Sequence, residues 1–162
     1  MKLSTKGRYA VMALAELART REEAGGDAPV PLAHIAAGQK ISLEYLEQLF
    51  AKLRRAELVE SVRGPGGGYR LSRDPDSIRV SDIILAVDEP LRVTRCQGDA
   101  IDGCVAGEKC ITHELWAALG RQIYGFLSSV TLGDVVNRRN FALEVSVRRA
   151  IAEPGAIRPV EH

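Results

Sequence analysis

The spacing of apolar residues divides the chain into several helices and one short hairpin before any single residue is considered. Over residues 4–20, Tyr9, Met12, Ala13 and Leu17 fall on one helical face, and Val11, Leu14, Ala15 and Ala18 cover much of the rest. A helix apolar on nearly all sides is buried on several of them, as at a domain centre or a dimer interface. Ser4 or Thr5 is placed to cap it, and Glu16 interrupts its apolar run. A polar connection containing Gly and Pro runs from Glu22 to Pro31. Leu32 to Gly38 then reads as a short helix with Leu32, Ile35 and Ala36 inward, and Gln39-Lys40-Ile41 as a turn. Ser42 caps a third helix reaching about Ala56. In it Leu43, Leu46, Phe50 and Leu53 form an apolar stripe opposite Glu44, Glu47, Gln48, Ala51 and Arg55. A short helix, a tight turn and a longer amphipathic helix make a helix-turn-helix pattern.

Leu58 to Val62 and Tyr69 to Arg73 read as two strands joined by Arg63-Gly64-Pro65-Gly66-Gly67-Gly68, a turn for permissive backbone. Placed directly after a helix-turn-helix, this hairpin is a wing with Arg63 at its base. Ser81 is positioned to cap a short helix through about Val87. From about Ile111 to Ser129, Leu115, Leu119, Ile123 and Phe126 or Leu127 make the stripe of a long helix; Thr131 caps a further turn to Val136, and Asn137 to Ile151 is expected to be helical. The fold class is therefore mainly α with a small β-hairpin wing: a winged helix-turn-helix domain plus a long dimerisation helix.

Composition narrows the class. The 162 residues are 46% apolar, enough for one compact core with a helical appendage. The net charge of +1 makes no case for nucleic acid, but residues 1–73 carry 12 Lys/Arg against 8 Asp/Glu and the remainder 10 against 13. A mildly basic first half permits DNA binding without requiring it. No stretch of about 18 apolar residues is present, so no membrane partner is expected. The apolar run after Lys2, Lys6 and Arg8 is broken by Glu16 and continues as a helix, unlike a secretory signal. A cytoplasmic location with reduced thiols is the expectation.

The cysteines Cys96, Cys104 and Cys110 fall in one Gly- and Asp-rich segment, spaced C-x7-C-x5-C, with His113 three residues on. Such a segment cannot bury itself as core. Three free thiols on a surface would invite oxidation, and an odd number argues against a disulfide framework. A thiolate metal site remains, holding an iron–sulfur cluster or zinc. Structural zinc usually takes closer Cys pairs, so the wide gaps favour a cluster. His113 is the natural fourth ligand, able to share a helical side with Cys110, although a histidine in a first turn is otherwise ordinary. His34 and His162 read as surface residues.

Other chemistry is disfavoured. Gly64 to Gly68 lacks the Lys-Ser/Thr ending of a phosphate loop and precedes a strand. No carboxylate pair flanks a histidine and no nucleophile elbow is present, so no enzyme is expected. An electron-transfer component would have no use for a DNA reader.

Three stretches carry a family likeness: Lys6-Gly7-Arg8-Tyr9-Ala10-Val11; Ile41-Ser42-Leu43, Tyr45 to Phe50 and Val62 to Tyr69; and Thr94-Arg95-Cys96-Gln97 with Lys109 to Trp116. Over about residues 1–137 the chain resembles the IscR family of iron–sulfur cluster regulators, within a wider family of winged-helix bacterial repressors. The resemblance implies a homodimer with a [2Fe–2S] cluster per subunit on Cys96, Cys104, Cys110 and His113, received from the cluster-assembly machinery. It also implies control of cluster-assembly genes, by repression or activation, as cluster supply changes. Relatives of this kind sense nitric oxide or iron, and Thr112-His113 with Leu115-Trp116 favours the IscR branch. Two departures stand out. The first cysteine gap has seven residues where the best-known pattern has five, and Glu44 stands where serine is frequent and where a carboxylate repels phosphate.

The organisation expected is a DNA-binding domain over 1–90, a cluster-binding loop over 91–111, dimerisation helices over 112–152 and a disordered tail over 153–162. Double-stranded promoter DNA would be read in the major groove. Gln48 can pair with adenine, Glu47 can accept from cytosine N4, and Ser42 and Tyr45 can reach backbone or base. The resemblance adds that Glu47 helps determine which promoter class is bound. Arg63 is placed for a minor groove, with Gly66 and Gly67 in the wing beside it.

Overall fold

The computed structural model describes residues 4–88, 110–138 and 141. In chain order the elements are α1 (Thr5–Glu23), α2 (Leu32–Gln39), α3 (Leu43–Arg55), β1 (Val59–Val62), β2 (Gly68–Leu71), a 3-10 turn (Pro75–Ser77), α4 (Val80–Ala86), α5 (His113–Ser129) and α6 (Leu132–Val136). The expected helices and hairpin are all present; the expectation for Asn137 to Ile151 and for the tail falls largely outside the described residues, as do Cys96 and Cys104.

α1 is the central element. Ser4 caps it by accepting from the Lys6 amide, and Ala10, Ala13, Leu14, Leu17 and Ala18 are buried. One core runs from these residues through Ile35 of α2, Leu46, Leu49, Phe50 and Leu53 of α3, Leu58, Leu71, Ile83 and Leu132. Each fully buried Leu, Ile or Phe contributes roughly 1.5–3 kcal/mol. Glu16 shares the buried face and does not break the helix. Arg19 and the Gln39 side chain, whose Nε2 donates to Glu16 Oε2 at 2.9 Å, satisfy its carboxylate.

The hairpin is antiparallel, pairing Val59 with Leu71 and Val62 with Gly68. Val30 adds an isolated antiparallel bridge to it, exchanging two 2.8 Å hydrogen bonds with Tyr69. A Cβ at Gly68 would lie 2.3 Å from the Val30 carbonyl oxygen, so this close approach admits only glycine. A second isolated bridge joins Arg79 to Thr131, with the Val80 amide donating to Val130 and the Leu132 amide to Ile78. The residues that end α5 are thereby tied to the winged domain.

Two local expectations are corrected. Leu43 is 42% exposed, because the core beneath α3 begins one turn later and Leu49 takes the inward place. Ser81 does not cap α4: Arg79 is the N-cap residue, and Ser81 lies inside the helix, buried. The backbone pairing of Ile78 and Val80 with residues 130–132 sets that helix start instead.

Candidate nucleic-acid interface and cysteine site

The geometry of α3 follows from its ends. Ser42 Oγ accepts from the Tyr45 amide at 3.3 Å, satisfying a free amide of the first turn. The buried stripe holds one side, which leaves Glu44, Glu47 and Gln48 exposed on the other. Tyr45 is half-buried, its ring edge-on to Tyr9 with centroids 5.9 Å apart, so its position is fixed from the core side. Phe50 meets Tyr69 edge-to-face at 4.9 Å and roots the wing on α3.

The wing turn places Arg63 and Gly66 in solvent and Gly67 half-buried. Gly66 has φ +72°, a conformation that side chains disfavour, and the Gly67 amide closes the turn onto the Gly64 carbonyl at 2.9 Å. Arg63 makes no ion pair among the described residues, unlike Arg70, which pairs with Glu60 across the hairpin at 3.0 Å. Ser42, Tyr45, Glu47 and Gln48 thus share one helix, and Arg63, Gly66 and Gly67 share the wing anchored to it.

At the other site, Cys110 and His113 come together at the start of α5. The His113 amide donates to the Cys110 carbonyl at 2.9 Å. Cys110 is partly exposed, with Sγ 3.5 Å from Thr112 Oγ1, whereas His113 is 1% exposed. Among the described residues no group of three His, Cys, Asp or Glu gathers as a metal site, since Cys96 and Cys104 lie outside them. His34 is exposed on α2, as expected.

Most of the chain is accounted for by a single family model. Residues 3–138 match Rrf2, described as an iron-dependent transcriptional regulator. The chain belongs to the Rrf2 family. As an Rrf2 protein it is a DNA-binding, helix-turn-helix transcriptional regulator, and the relatives it matches are regulators rather than enzymes. It is 53% identical over 149 residues to the HTH-type transcriptional regulator IscR of Escherichia coli K12/DH10B, covering 92% of this chain and 88% of that protein. Among solved structures, T. potens IscR is 38% identical with a TM-score of 0.67, over 88% of this chain and 90% of that one. CymR (YrzC), the global cysteine regulator of B. subtilis, is 35% identical with a TM-score of 0.71, over 86% and 99%. These likenesses bear out the winged-helix fold. No helix among the described residues is long and apolar enough to cross a membrane.

Several residues escaped the sequence reading. The Glu16–Gln39 contact and the ion pair between Lys52 and Asp88 join residues 23 and 36 positions apart, and no local pattern announces either. Lys40 was legible only as part of a turn; its left-handed backbone, φ 54°, is visible in the structure alone.

Proposed function

We propose that the chain is an iron–sulfur-cluster-sensing regulator. As a homodimer it binds promoter DNA, including that of cluster-assembly genes, with a site preference set by a [2Fe–2S] cluster on Cys96, Cys104, Cys110 and His113. The observation that carries the reading is the juxtaposition of Cys110 and His113 at the first turn of α5, in a chain 53% identical to an IscR. Thiolate sulfur and imidazole nitrogen suit cluster iron, so the donor chemistry fits. The cluster, received from the assembly machinery, supplies a group whose presence follows iron and sulfide supply.

The chain's own residues do the rest. α5 starts at the ligand pair and ends where Val130 to Leu132 pair with Ile78 to Val80, so an ordered ligand segment is mechanically continuous with the winged domain. In this reading residues 1–90 read DNA, 91–111 hold the cluster and 112–152 dimerise. Gln48 and Glu47 read base edges in the major groove, Ser42 and Tyr45 reach backbone or base, and Arg63 enters the minor groove from the Gly66-Gly67 turn. The exposed Leu115, Trp116, Leu119 and Phe126 of α5 form the face that a second copy covers.

Cluster sensing requires that the loaded and apo states differ in affinity for at least some sites. Both forms of the full chain, titrated on a panel of promoter duplexes, are expected to rank the duplexes differently. Equal affinities on every duplex would contradict the reading.

A further inference from the structure

The surface of α3 presents an electrostatic problem. Its first two turns expose Glu44 and Glu47, and its cations, Lys52, Arg54 and Arg55, lie in the last turn. A helix entering a phosphate-lined groove by that end needs positive charge from outside itself. Arg63 supplies it on the wing side. Lys40 is also exposed, two residues before the Ser42 cap at that end of the helix.

Two observations single out Lys40. It is the C-cap of α2 in the left-handed conformation, φ 54° and ψ 42°. Glycine takes that conformation without steric cost and lysine does not, so the backbone alone would favour glycine here. Lys40 also makes no ion pair among the described residues, whereas Lys52 is held by Asp88 at 2.7 Å. The turn that carries it is pinned in place, because the preceding Gln39 donates to buried Glu16.

We infer that Lys40 is a phosphate-contacting residue that anchors the N-terminal end of α3 on the DNA backbone, offsetting Glu44 and Glu47. This rests on α3 being the DNA-reading helix. Lys40 then contributes affinity without sequence preference, while the acidic pair filters sequence.

The test uses the full chain with two duplexes: one enriched from a random-sequence pool by the wild-type protein, and a scrambled control. Lys40→Gly is expected to weaken binding to both by a similar factor, roughly tenfold at low salt, and to make the dependence of log affinity on log salt shallower by about 0.9 per lost contact. The thermal midpoint should stay level or rise, since the left-handed turn is relieved. Lys40→Arg should keep the wild-type slope. Unchanged affinity and slope, a loss confined to the enriched duplex, or a loss tracking a lowered thermal midpoint each overturns the proposal. Gln48→Ala separates this from the underlying reading. If it weakens binding to the enriched duplex while Lys40→Gly does nothing, only the Lys40 anchor falls; if neither variant changes binding, α3 is not the reader and both fall.

Discussion

Lys52 on α3 donates to Asp88 across 2.7 Å, and Asp88 is the last described residue before the segment that carries Cys96 and Cys104. The ammonium holds the Asp88 carboxyl below its ordinary range. Folding lowers this pKa, so the contribution of the pair is complete above the ordinary carboxylate value and is lost as pH falls through the lowered one. At neutral pH the contact is intact. As an exposed pair it adds little stability, but it joins α3, the proposed reading helix, to the residue after which the cysteine-bearing stretch of sequence begins. Asp88→Asn is therefore expected to leave the thermal midpoint near wild type at pH 7 and to reduce the ratio of DNA affinities between cluster-loaded and apo protein. An unchanged ratio in binding titrations of both forms would mean that the pair does not link the cysteine site to DNA binding.

Glu16 is the corresponding contact between α1 and α2. The hydrogen bond from Arg19, first, and then the Arg19 charge and the Gln39 amide, lower its pKa against the opposing effect of burial. Its stabilisation is likewise full above the ordinary carboxylate value and disappears as pH drops through the lowered pKa. Glu16→Ala should cost about 1–3 kcal/mol by urea unfolding at pH 7, because Gln39 loses its acceptor at a buried site. Repeating the unfolding at decreasing pH should show the gap between wild type and variant closing on the acid side. A gap that stays constant contradicts the assigned charge state.

The bridge from Val30 to the wing needs close approach of two backbones at Gly68. With the Val30 carbonyl oxygen 2.3 Å from where a Cβ of Gly68 would sit, Gly68→Ala must separate Val30 from the hairpin. A loss of about 2–4 kcal/mol is expected, together with weaker DNA binding. Gly26→Ala, where nothing lies within 4 Å of the added Cβ, is the control and should fold normally. Wild-type stability in Gly68→Ala would mean that the Val30 bridge is dispensable.

The α5 face makes the prediction about assembly. Leu115 is 61% exposed and Leu119 39% exposed in the single chain. Such a row of apolar side chains is covered by a partner in a stable regulator. If α5 forms the proposed dimer interface, Leu115→Asp with Leu119→Asp should give a monomer in sedimentation velocity where the wild type is a dimer, and leave the near-native helix content of the winged domain. A dimer of unchanged mass would place the interface elsewhere.

Legibility in the sequence followed the range of the interactions. The α3 stripe, the Ser42 and Thr131 caps and the wing turn were readable because their causes lie within a few residues; Thr131 forms a full capping box with Asp134. The stripe on α5 was readable too, but periodicity alone does not say whether a stripe meets its own chain or another. Leu43 was misassigned because it continues the helical period past the edge of the core. Ser81 was misassigned because pairing with residues 130–132, about 50 positions away, fixes the start of α4. Glu16 looked like an interruption because its partners, Arg19 and Gln39, are set by tertiary packing. At the cysteine site the donor types and the Cys110–His113 spacing were visible in the chain, whereas the burial of His113 is a property of the fold.

Visible absorption and the iron and sulfide content of the anaerobically purified protein and its His113→Ala variant read the proposed cluster directly. A [2Fe–2S] cluster on Cys96, Cys104, Cys110 and His113 requires a coloured wild-type protein with about two irons and two sulfides per chain, and an altered spectrum in His113→Ala with its far-ultraviolet circular dichroism unchanged. A colourless protein that retains one zinc per chain would contradict the cluster, and a variant spectrum identical to wild type would remove His113 from the ligand set.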